Sequence, residues 1–198
     1  MNKGLSKKIS LPIDDATIRT LRIGDNLEVS GTIVTARDMA HKFMVKESPS
    51  FLKPLLKNTF IYHCGPVIRK ESNGYRFLAA GPTTSIREEP YQDKVIKDYQ
   101  VRGVIGKGGM GAKTLKALQE HGAVYLHATG GAAPLLAQHI ISVKDVHMLD
   151  EFGVPEAMWV IEVKDFPVLV TMDTTGASLH AELIKSSSDL RDKLMDTL

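Results

Sequence analysis

The chain has 198 residues, 43% of them hydrophobic and 24% charged, and its formal net charge is +2. The length predicts one domain with a sizeable core, and the near balance of charges argues against a nucleic-acid-binding protein. No apolar run approaches the roughly 20 residues of a membrane span, and the basic N-terminus lacks the apolar stretch of a signal peptide, so we expect a cytoplasmic protein.

Strand and helix patterns alternate through the first half of the chain. Asn26–Val34 is rich in strand-forming residues and runs directly into a helix start at Thr35–Lys42. Thr59–Ile68 and Tyr75–Ala80, separated by a Ser-Asn-Gly turn, predict a β-hairpin. A second turn then leads into a helix through Ser85–Lys97.

A βαβ unit follows. Gln100–Ile105 predicts a strand, Gly106–Gly111 a glycine-rich loop, and Ala112–His121 a helix that ends at Gly122. Ala123–His127 predicts the next strand, and we expect a right-handed crossover between the two parallel strands.

The remaining patterns complete an α/β fold. Met158–Val163 and Pro167–Met172 predict a late pair of strands, and we expect a helix near the C-terminus. Strands mixed with one βαβ unit favour a layered α/β arrangement over a regular doubly wound sheet. We therefore expect a single domain over residues 1–198, in which residues 1–9 and 187–198 are peripheral.

The glycine loop carries the strongest local motif. Gly106, Gly108 and Gly111 match G-x-G-x-x-G between a strand and a helix, as in dinucleotide-binding proteins. Such proteins also have an acidic residue about 20 positions later, and this chain has none there; Ala112 stands where a P-loop has its lysine. Two interpretations remain, a carboxylate-sized anion site with Lys107 at a helix N-terminus, or a tight turn with a solvated lysine.

Two further segments place polar side chains where a helix follows a strand. Arg37 and His41 are four residues apart and share a helical face, which suits a carboxylate-binding group beside a proton-transfer group, or else a solvated helix start. Gly81–Arg87 supplies hydroxyls and a guanidinium, although Thr83 also suits a simple N-cap.

Read together, these segments predict one site. Arg37, Arg87 and Lys107 each follow a strand, and ligands of α/β folds gather at the carboxyl ends of strands. Three cations at one edge would suit a small polyanion such as a dicarboxylate.

Cys64 is the only cysteine. A single cysteine cannot form a disulfide within the chain, and this chain cannot supply the several thiolates that a metal cluster needs. We expect a buried small hydrophobe at this position, and a metal cluster, if one is used, must be held by another polypeptide.

Three motifs in order resemble a known family: TARDMAHK at Thr35–Lys42, GPTTSIR at Gly81–Arg87 and GKGGMG at Gly106–Gly111. The combination resembles the β subunit, or C-terminal domain, of the iron–sulfur hydro-lyases, which comprise class I fumarate hydratase and L(+)-tartrate dehydratase. The resemblance implies a swivelling β/β/α domain. It also implies a larger α subunit that supplies the cysteines of a 4Fe–4S cluster, so that this chain ligates neither cofactor nor metal.

The resemblance also implies roles for the motif residues. The substrate carboxylates and hydroxyl would be held by Arg37, Thr83, Thr84, Arg87 and Lys107. His41 and Thr83 are the implied acid–base candidates of this chain. Whether the proton goes to His41, to a Thr83 alkoxide or to an α-subunit side chain remains open at this point.

The implied reaction is the reversible hydration of fumarate to L-malate, performed by a dimer of α–β pairs. The glycine pair in Leu126–Ala133 is similar to that of fumarases, whereas tartrate dehydratases tend to have a cysteine nearby. L(+)-tartrate dehydratase is therefore the alternative, and mesaconate remains a possible substrate. Two other classes stay open: a stand-alone anion- or nucleotide-binding module that uses Gly106–Gly111, and a structural subunit that only shields the partner's cluster.

Overall fold

The structure, a computed structural model, describes residues 6–195, which form a mixed α/β domain. The strands are β1 (Lys7–Ser10), β2 (Asn26–Thr35), β3 (Phe60–Tyr62), β4 (Val67–Glu71), β5 (Gly74–Ala79), β6 (Gly103–Gly106), β7 (Val124–His127), β8 (Ile140–His147) and β9 (Met158–Met172). The helices are α1 (Asp15–Ile18), α2 (Asp38–Glu47), α3 (Leu52–Leu56), α4 (Glu89–Tyr99), α5 (Ala112–His121), α6 (Ala133–Ala137), α7 (Leu149–Phe152) and α8 (Leu179–Met195), and a 3₁₀ helix, Ser85–Glu88, precedes α4.

The main sheet has parallel strands at its centre and closes through its last strand. β2, β3, β6 and β7 are neighbours in that order and run parallel, so their carboxyl ends lie at one edge. The long strand β9 is antiparallel both to β2 and to β7, and it thereby joins the two sides of the parallel group. β1 and β8 extend the sheet beyond this closed part.

Both faces of the central strands are buried, because successive side chains point to opposite faces. Ile33, Ile105 and Trp159 lie in one apolar cluster, which the β4–β5 hairpin covers. Their neighbours Val34 and Val104 lie in a second cluster, together with apolar side chains of α2, α4 and α5. The central strands, whose carboxyl ends carry the candidate site residues, are thus packed between these two clusters.

The predicted hairpin needs a correction. Thr59–Ile68, expected to be one strand, is two strands in different sheets: β3 belongs to the main sheet, and β4 pairs with β5 in a separate two-stranded sheet. The chain leaves the main sheet at Cys64-Gly65-Pro66, because a proline cannot donate to a ladder in the sheet interior. The turn that joins β4 to β5 falls at Ser72-Asn73, within the predicted Ser-Asn-Gly turn.

The predicted late strand pair is also wrong. Met158–Val163 and Pro167–Met172 do not pair with each other but form one strand, β9, with β2 along one edge. The strand continues through Asp165, whose φ of 48° produces an irregularity rather than a turn. β8, which the sequence patterns did not predict, pairs on the other edge.

The βαβ unit is confirmed: β6 and β7 are parallel neighbours, and α5 between them ends at Gly122, which has a φ of 65°. At the chain ends, residues 7–9, which were expected to be peripheral, lie in β1 and pair with β2. Residues 187–195 lie in α8 and are exposed except for the half-buried Ser188. Residues 1–5 and 196–198 of the segments expected to be peripheral lie outside the described residues. Over the described range, 6–195, no helix combines the length and apolarity of a membrane span.

Candidate active site

The GPTTSIR segment is inserted between two strand ends. Thr83 N donates a hydrogen bond to the His63 carbonyl oxygen (2.7 Å), and Lys107 N donates one to the Thr83 carbonyl oxygen (3.2 Å). Ser85 N in turn donates to the Lys107 carbonyl oxygen (3.0 Å). Backbone pairing therefore fixes Thr83 and Thr84 beside Lys107, at the edge formed by the carboxyl ends of β3 and β6.

The two threonine side chains differ in exposure and contacts. Thr83 is half-buried, and its hydroxyl donates a hydrogen bond to the His63 carbonyl oxygen (3.0 Å). Thr84 is exposed and, rather than Thr83, occupies the N-cap position of the 3₁₀ helix, where its side chain makes no capping bond. The N-cap interpretation of Thr83 is therefore wrong, since its hydroxyl bonds to a neighbouring strand end.

Arg37 lies at the carboxyl end of β2 and is the N-cap residue of α2. Its side chain lies over Gly65, where a Cβ would collide with the guanidinium. Its Nε is 3.4 Å from Glu156 Oε1, and its Nη1 donates to the Pro155 carbonyl oxygen (3.4 Å). Arg37 is thus held at the site edge by the loop that precedes β9.

Arg87 and Lys107 complete the cationic set. The Arg87 side chain extends from the 3₁₀ helix and forms an ion pair with Asp38, the residue that follows Arg37. This contact brings the β2 and GPTTSIR motifs together. The half-buried Lys107 takes part in none of the ion pairs found between residues 6 and 195.

His41 occupies a different place from the other candidates. It is fully buried, its Nδ1 lies 2.9 Å from the Arg37 carbonyl oxygen, and its Nε2 lies 2.9 Å from Gln92 Oε1. Burial lowers the pKa of His41 and therefore favours the neutral ring. The structure does not bring this ring to the open edge where Thr83, Thr84 and Lys107 meet.

An acidic residue lies beside His41. Glu88 is buried, with Oε2 3.7 Å from His41 Nδ1. Desolvation, with a hydrogen bond to Asp38 as the next cause, raises the pKa of the Glu88 carboxyl to about 8. Glu88 is therefore protonated at neutral pH and leaves the Asp38 carboxylate to pair with Arg87.

The N-terminus of α5 is filled by a side chain of the protein itself. The Glu89 carboxylate accepts hydrogen bonds from Gly111 N (2.8 Å), Lys113 N (3.0 Å) and Thr114 N (3.2 Å), and from Thr114 Oγ1 (2.7 Å). A helix N-terminus attracts an anion through these same N–H groups. The anion-site interpretation of the glycine loop is thus corrected at this helix end, because the anion is Glu89, and a phosphate would have to displace it.

Cys64 does not fit the role of a cluster ligand. It is fully buried in the apolar core, as expected from the sequence, and burial raises the pKa of its thiol. Clusters bind thiolates, usually several of them. Within residues 6–195, no group of three or more His, Cys, Asp or Glu side chains is placed to hold a metal ion. The side chains of the described part of the chain therefore do not fit an iron–sulfur cluster.

Comparison with known proteins identifies the family. The family model described as Fumarase C-terminus matches residues 2–183. The chain belongs to the fumarase C-terminus family. The resemblance inferred from the three motifs is thereby confirmed.

The relatives of this fumarase C-terminus chain include one much longer protein and two that the match covers over nearly their full length. It is 51% identical over 181 residues to a Geobacillus stearothermophilus protein provisionally named a class I fumarate hydratase. The match covers 90% of this chain but 34% of that protein, so the chain spans about a third of the length of this relative. It is 38% identical over 181 residues to a Methanocaldococcus jannaschii protein provisionally named an L(+)-tartrate dehydratase β subunit, covering 90% of this chain and 93% of the relative. The L(+)-tartrate dehydratase β subunit of Escherichia coli is 33% identical over 198 residues, which cover 98% of this chain and 96% of the relative.

Several polar residues beneath the site of this fumarase C-terminus chain were missed from the sequence. They are His63, Ser85, Glu88, Glu89, Gln92 and Tyr125. The only available signal was the spacing of Glu88 and Gln92, which are four residues apart and so share a helical face. That spacing does not indicate that the face points at two histidines.

Proposed function

We propose that this chain is the β subunit of an iron–sulfur hydro-lyase that reversibly hydrates fumarate to L-malate. The observation that carries the proposal is the pairing of Thr83–Ser85 with the strand ends at His63 and Lys107. It puts hydroxyls and a free ammonium at one edge, and the Arg87–Asp38 ion pair links the Arg37 segment to the same place. Cations and hydroxyls in this combination suit a dicarboxylate with a hydroxyl between its carboxylates.

In the proposed mechanism, Arg37, Arg87 and Lys107 bind the substrate carboxylates, and Thr84 adds a hydroxyl contact. Thr83 Oγ1, the half-buried hydroxyl among them, gives its proton to the hydroxyl group that leaves malate as water. The resulting Thr83 alkoxide takes the C–H proton of malate, which restores the threonine hydroxyl as the double bond of fumarate forms. Negative charge develops on the adjacent carboxylate as this proton leaves, and fixed cations at that position lower the barrier. His41, which lies beneath the edge, supports this arrangement rather than touching the substrate.

The proposal includes a partner. The match to nearly the full length of separate β subunits favours a two-chain enzyme over a single long chain. Because the residues of this chain do not fit a cluster, the α subunit would hold the 4Fe–4S cluster, and a dimer of α–β pairs remains our expectation. A cytoplasmic location likewise stays a prediction.

L(+)-tartrate dehydratase is the second candidate, favoured by the names of the relatives that match over their whole length. Fumarate is preferred because the relative with 51% identity carries a fumarate hydratase name and because Leu126–Ala133 has a glycine pair and no cysteine. The first experiment is anaerobic fumarate hydration, followed by loss of alkene absorbance. It compares the chain alone with the chain plus a cluster-loaded α partner, with L-tartrate and mesaconate in parallel.

Fumarate turnover that requires both chains supports the proposal, and turnover of tartrate alone overturns the substrate assignment.

Arg87→Ala distinguishes a substrate-binding subunit from one that only shields the cluster. We expect normal assembly with a fall in kcat/KM of about 100–1,000-fold, since one fixed charge at developing negative charge is typically worth that much. A variant that assembles and keeps the full kcat/KM would assign the subunit a structural role.

A further inference from the structure

Five buried polar side chains form one hydrogen-bonded chain beneath the candidate site. Gln92 Oε1 lies 2.9 Å from His41 Nε2 and 2.9 Å from His63 Nε2. His63 Nδ1 lies 2.9 Å from Ser85 Oγ, to which the Tyr125 hydroxyl donates a hydrogen bond (2.8 Å). All five side chains are fully buried, so each donor or acceptor that is left unpaired among them lowers the stability of the fold.

Counting protons defines the state of the two rings. The Arg37 carbonyl oxygen only accepts, so His41 Nδ1 carries a proton. If an oxygen of Gln92 faced both Nε2 atoms, His41 would need a second proton and a positive charge. Burial lowers the pKa of His41, and burial followed by the neighbouring His41 lowers that of His63 further, so a charged ring is disfavoured.

The opposite orientation of the Gln92 amide removes the need for a charged ring. The amide oxygen and nitrogen are nearly equivalent in shape, and the outer amide atom has no hydrogen-bond partner, so the reversal exchanges two unpaired N–H bonds for one unpaired oxygen. With the NH₂ group between the rings, it donates one proton to each Nε2, and both histidines are neutral with the proton on Nδ1. His63 then donates from Nδ1 to Ser85 Oγ, which also accepts from Tyr125, so the Ser85 hydroxyl proton is the one proton of the series without an acceptor among the five side chains.

The series of hydrogen bonds meets a backbone group at each of its two ends, and His63 in its middle provides a third backbone contact. One end is the Arg37 carbonyl oxygen. The other is Gly109 N, which donates to the Tyr125 hydroxyl (3.3 Å), in the loop that carries Lys107. Between them, His63 presents the carbonyl oxygen to which both Thr83 N and Thr83 Oγ1 donate.

We propose that Gln92 is a positioning residue: its amide NH₂ donates to the Nε2 atoms of His41 and His63, holding both rings as neutral Nδ1–H tautomers and so fixing Thr83 Oγ1 at the substrate. The proposal rests on the proposed function for its catalytic consequence, whereas the tautomer state is independent of it. Proton transfer is sensitive to displacements of about 1 Å, so a shifted His63 would act on turnover through Thr83.

The first test is the histidine side-chain ¹⁵N spectrum of the full chain at pH 7.5, assigned with His41→Asn and His63→Asn variants. We expect protonated Nδ1 and unprotonated Nε2 on both rings. An Nε2–H tautomer or a charged ring at either position overturns the proposal. This readout needs no variant to fold beyond the assignment and no active enzyme.

The second test is Gln92→Glu in the α–β enzyme. A carboxylate has the same shape but only accepts, so both rings must place a proton on Nε2, and the ¹⁵N spectrum should change accordingly. We expect kcat to fall about 10–100-fold, as is usual when a group that orients a functional residue is lost. KM should stay within about twofold, because the cations are untouched.

The matched control is Gln119→Glu on α5, which makes the same chemical change at an exposed glutamine. We expect wild-type kinetics and wild-type tautomers from it. A Gln92→Glu enzyme with unchanged kcat, or one whose loss lies in KM alone, overturns the positioning role. If the wild-type enzyme fails to hydrate fumarate while both rings show Nδ1–H, the proposed function fails and the buried arrangement stands.

Discussion

The three candidate cations differ in what neutralises them. Arg37 lies against Glu156 and Arg87 against Asp38, whereas Lys107 takes part in none of the ion pairs of the described part of the chain. A substrate carboxylate must therefore displace a resident carboxylate at either guanidinium. The Arg87 side chain is 54% exposed, and ion pairs of that exposure are worth about 0–1 kcal/mol, so this exchange costs little.

The Thr83 hydroxyl is the side-chain group of this chain that we expect to matter most for rate. Thr83→Val keeps the branched shape and the backbone bonds but removes Oγ1. We expect kcat of the α–β enzyme to fall about 100–10,000-fold, the usual contribution of a positioned proton-transfer group. Thr83→Ser keeps the oxygen and should retain kcat within about tenfold. Equal kcat values for the two variants would move the proton transfer to another group.

Glu88 makes stability depend on pH in a defined direction. Its pKa is about 8 in the folded chain against an ordinary 4.5, with desolvation as the main cause. The folded state therefore binds this proton more tightly than the unfolded state, so the contribution is complete below pH 4.5 and is lost as the pH rises through 8. The charged or titratable groups that face Glu88 are Asp38, Glu156, Arg87 and His41.

Glu88→Gln removes this titration. We expect urea unfolding at pH 9 to show the variant more stable than the wild type by about 2–4 kcal/mol, relative to their difference at pH 5. Other groups titrate in both chains and cancel in the comparison. A difference between the two chains that does not change with pH would mean that Glu88 is ionised in the folded state throughout.

At the scale of elements, the last residue of β6 is Gly106 because the Ser85 side chain occupies the space that a Cβ would need. A Cβ at Gly106 would collide with Ser85 Oγ and would lie 3.2 Å from the Tyr125 hydroxyl and 3.3 Å from His63 Nδ1. We expect Gly106→Ala to lower the free energy of unfolding by about 3 kcal/mol, the upper range for overpacking. The measurement is chemical denaturation of the chain.

A double-mutant cycle isolates the collision. Ser85→Ala removes the obstructing atom, so Gly106→Ala should cost much less in that background. Gly108→Ala is the control: its φ of +84° strains any side chain, but nothing lies near it, so its cost should add to that of Ser85→Ala. Additive costs for the Gly106 and Ser85 changes would contradict the packing argument.

The elements that could be predicted were those with local signals. β2, the βαβ unit and the helix after GPTTSIR follow from strand-forming runs, glycines and helix composition. The break of the predicted strand after Tyr62 has a local signal in Pro66, which the prediction did not use. The continuity of β9 through Asp165 depends on which strands meet in space, which no local pattern records. The contacts of Glu89 with the N-terminus of α5 and of Gln92 with two histidines depend on how α4 packs. The sequence therefore identified the motif residues but not the buried side chains that support them.

At the scale of the whole molecule, the candidate site residues and the single cysteine lie in different places. Its cations and hydroxyls lie at one edge of a closed sheet, and its single cysteine is buried in the core. The family match over residues 2–183 extends across all the elements that build this edge. Under the proposed function, we expect turnover only from the α–β pair, measured as in the fumarate experiment above.

The closing strand β9 also determines the order in which the molecule is completed. Ile33 of β2 pairs with Ile161 of β9, so one edge of β2 has no partner until the last third of the chain has left the ribosome. The facing edge of β7 waits for the same strand. A growing chain thus carries two unpaired strand edges, and unpaired edges are sites at which another polypeptide can add a strand. The two pairings that close the sheet can form only after β9 has been synthesised.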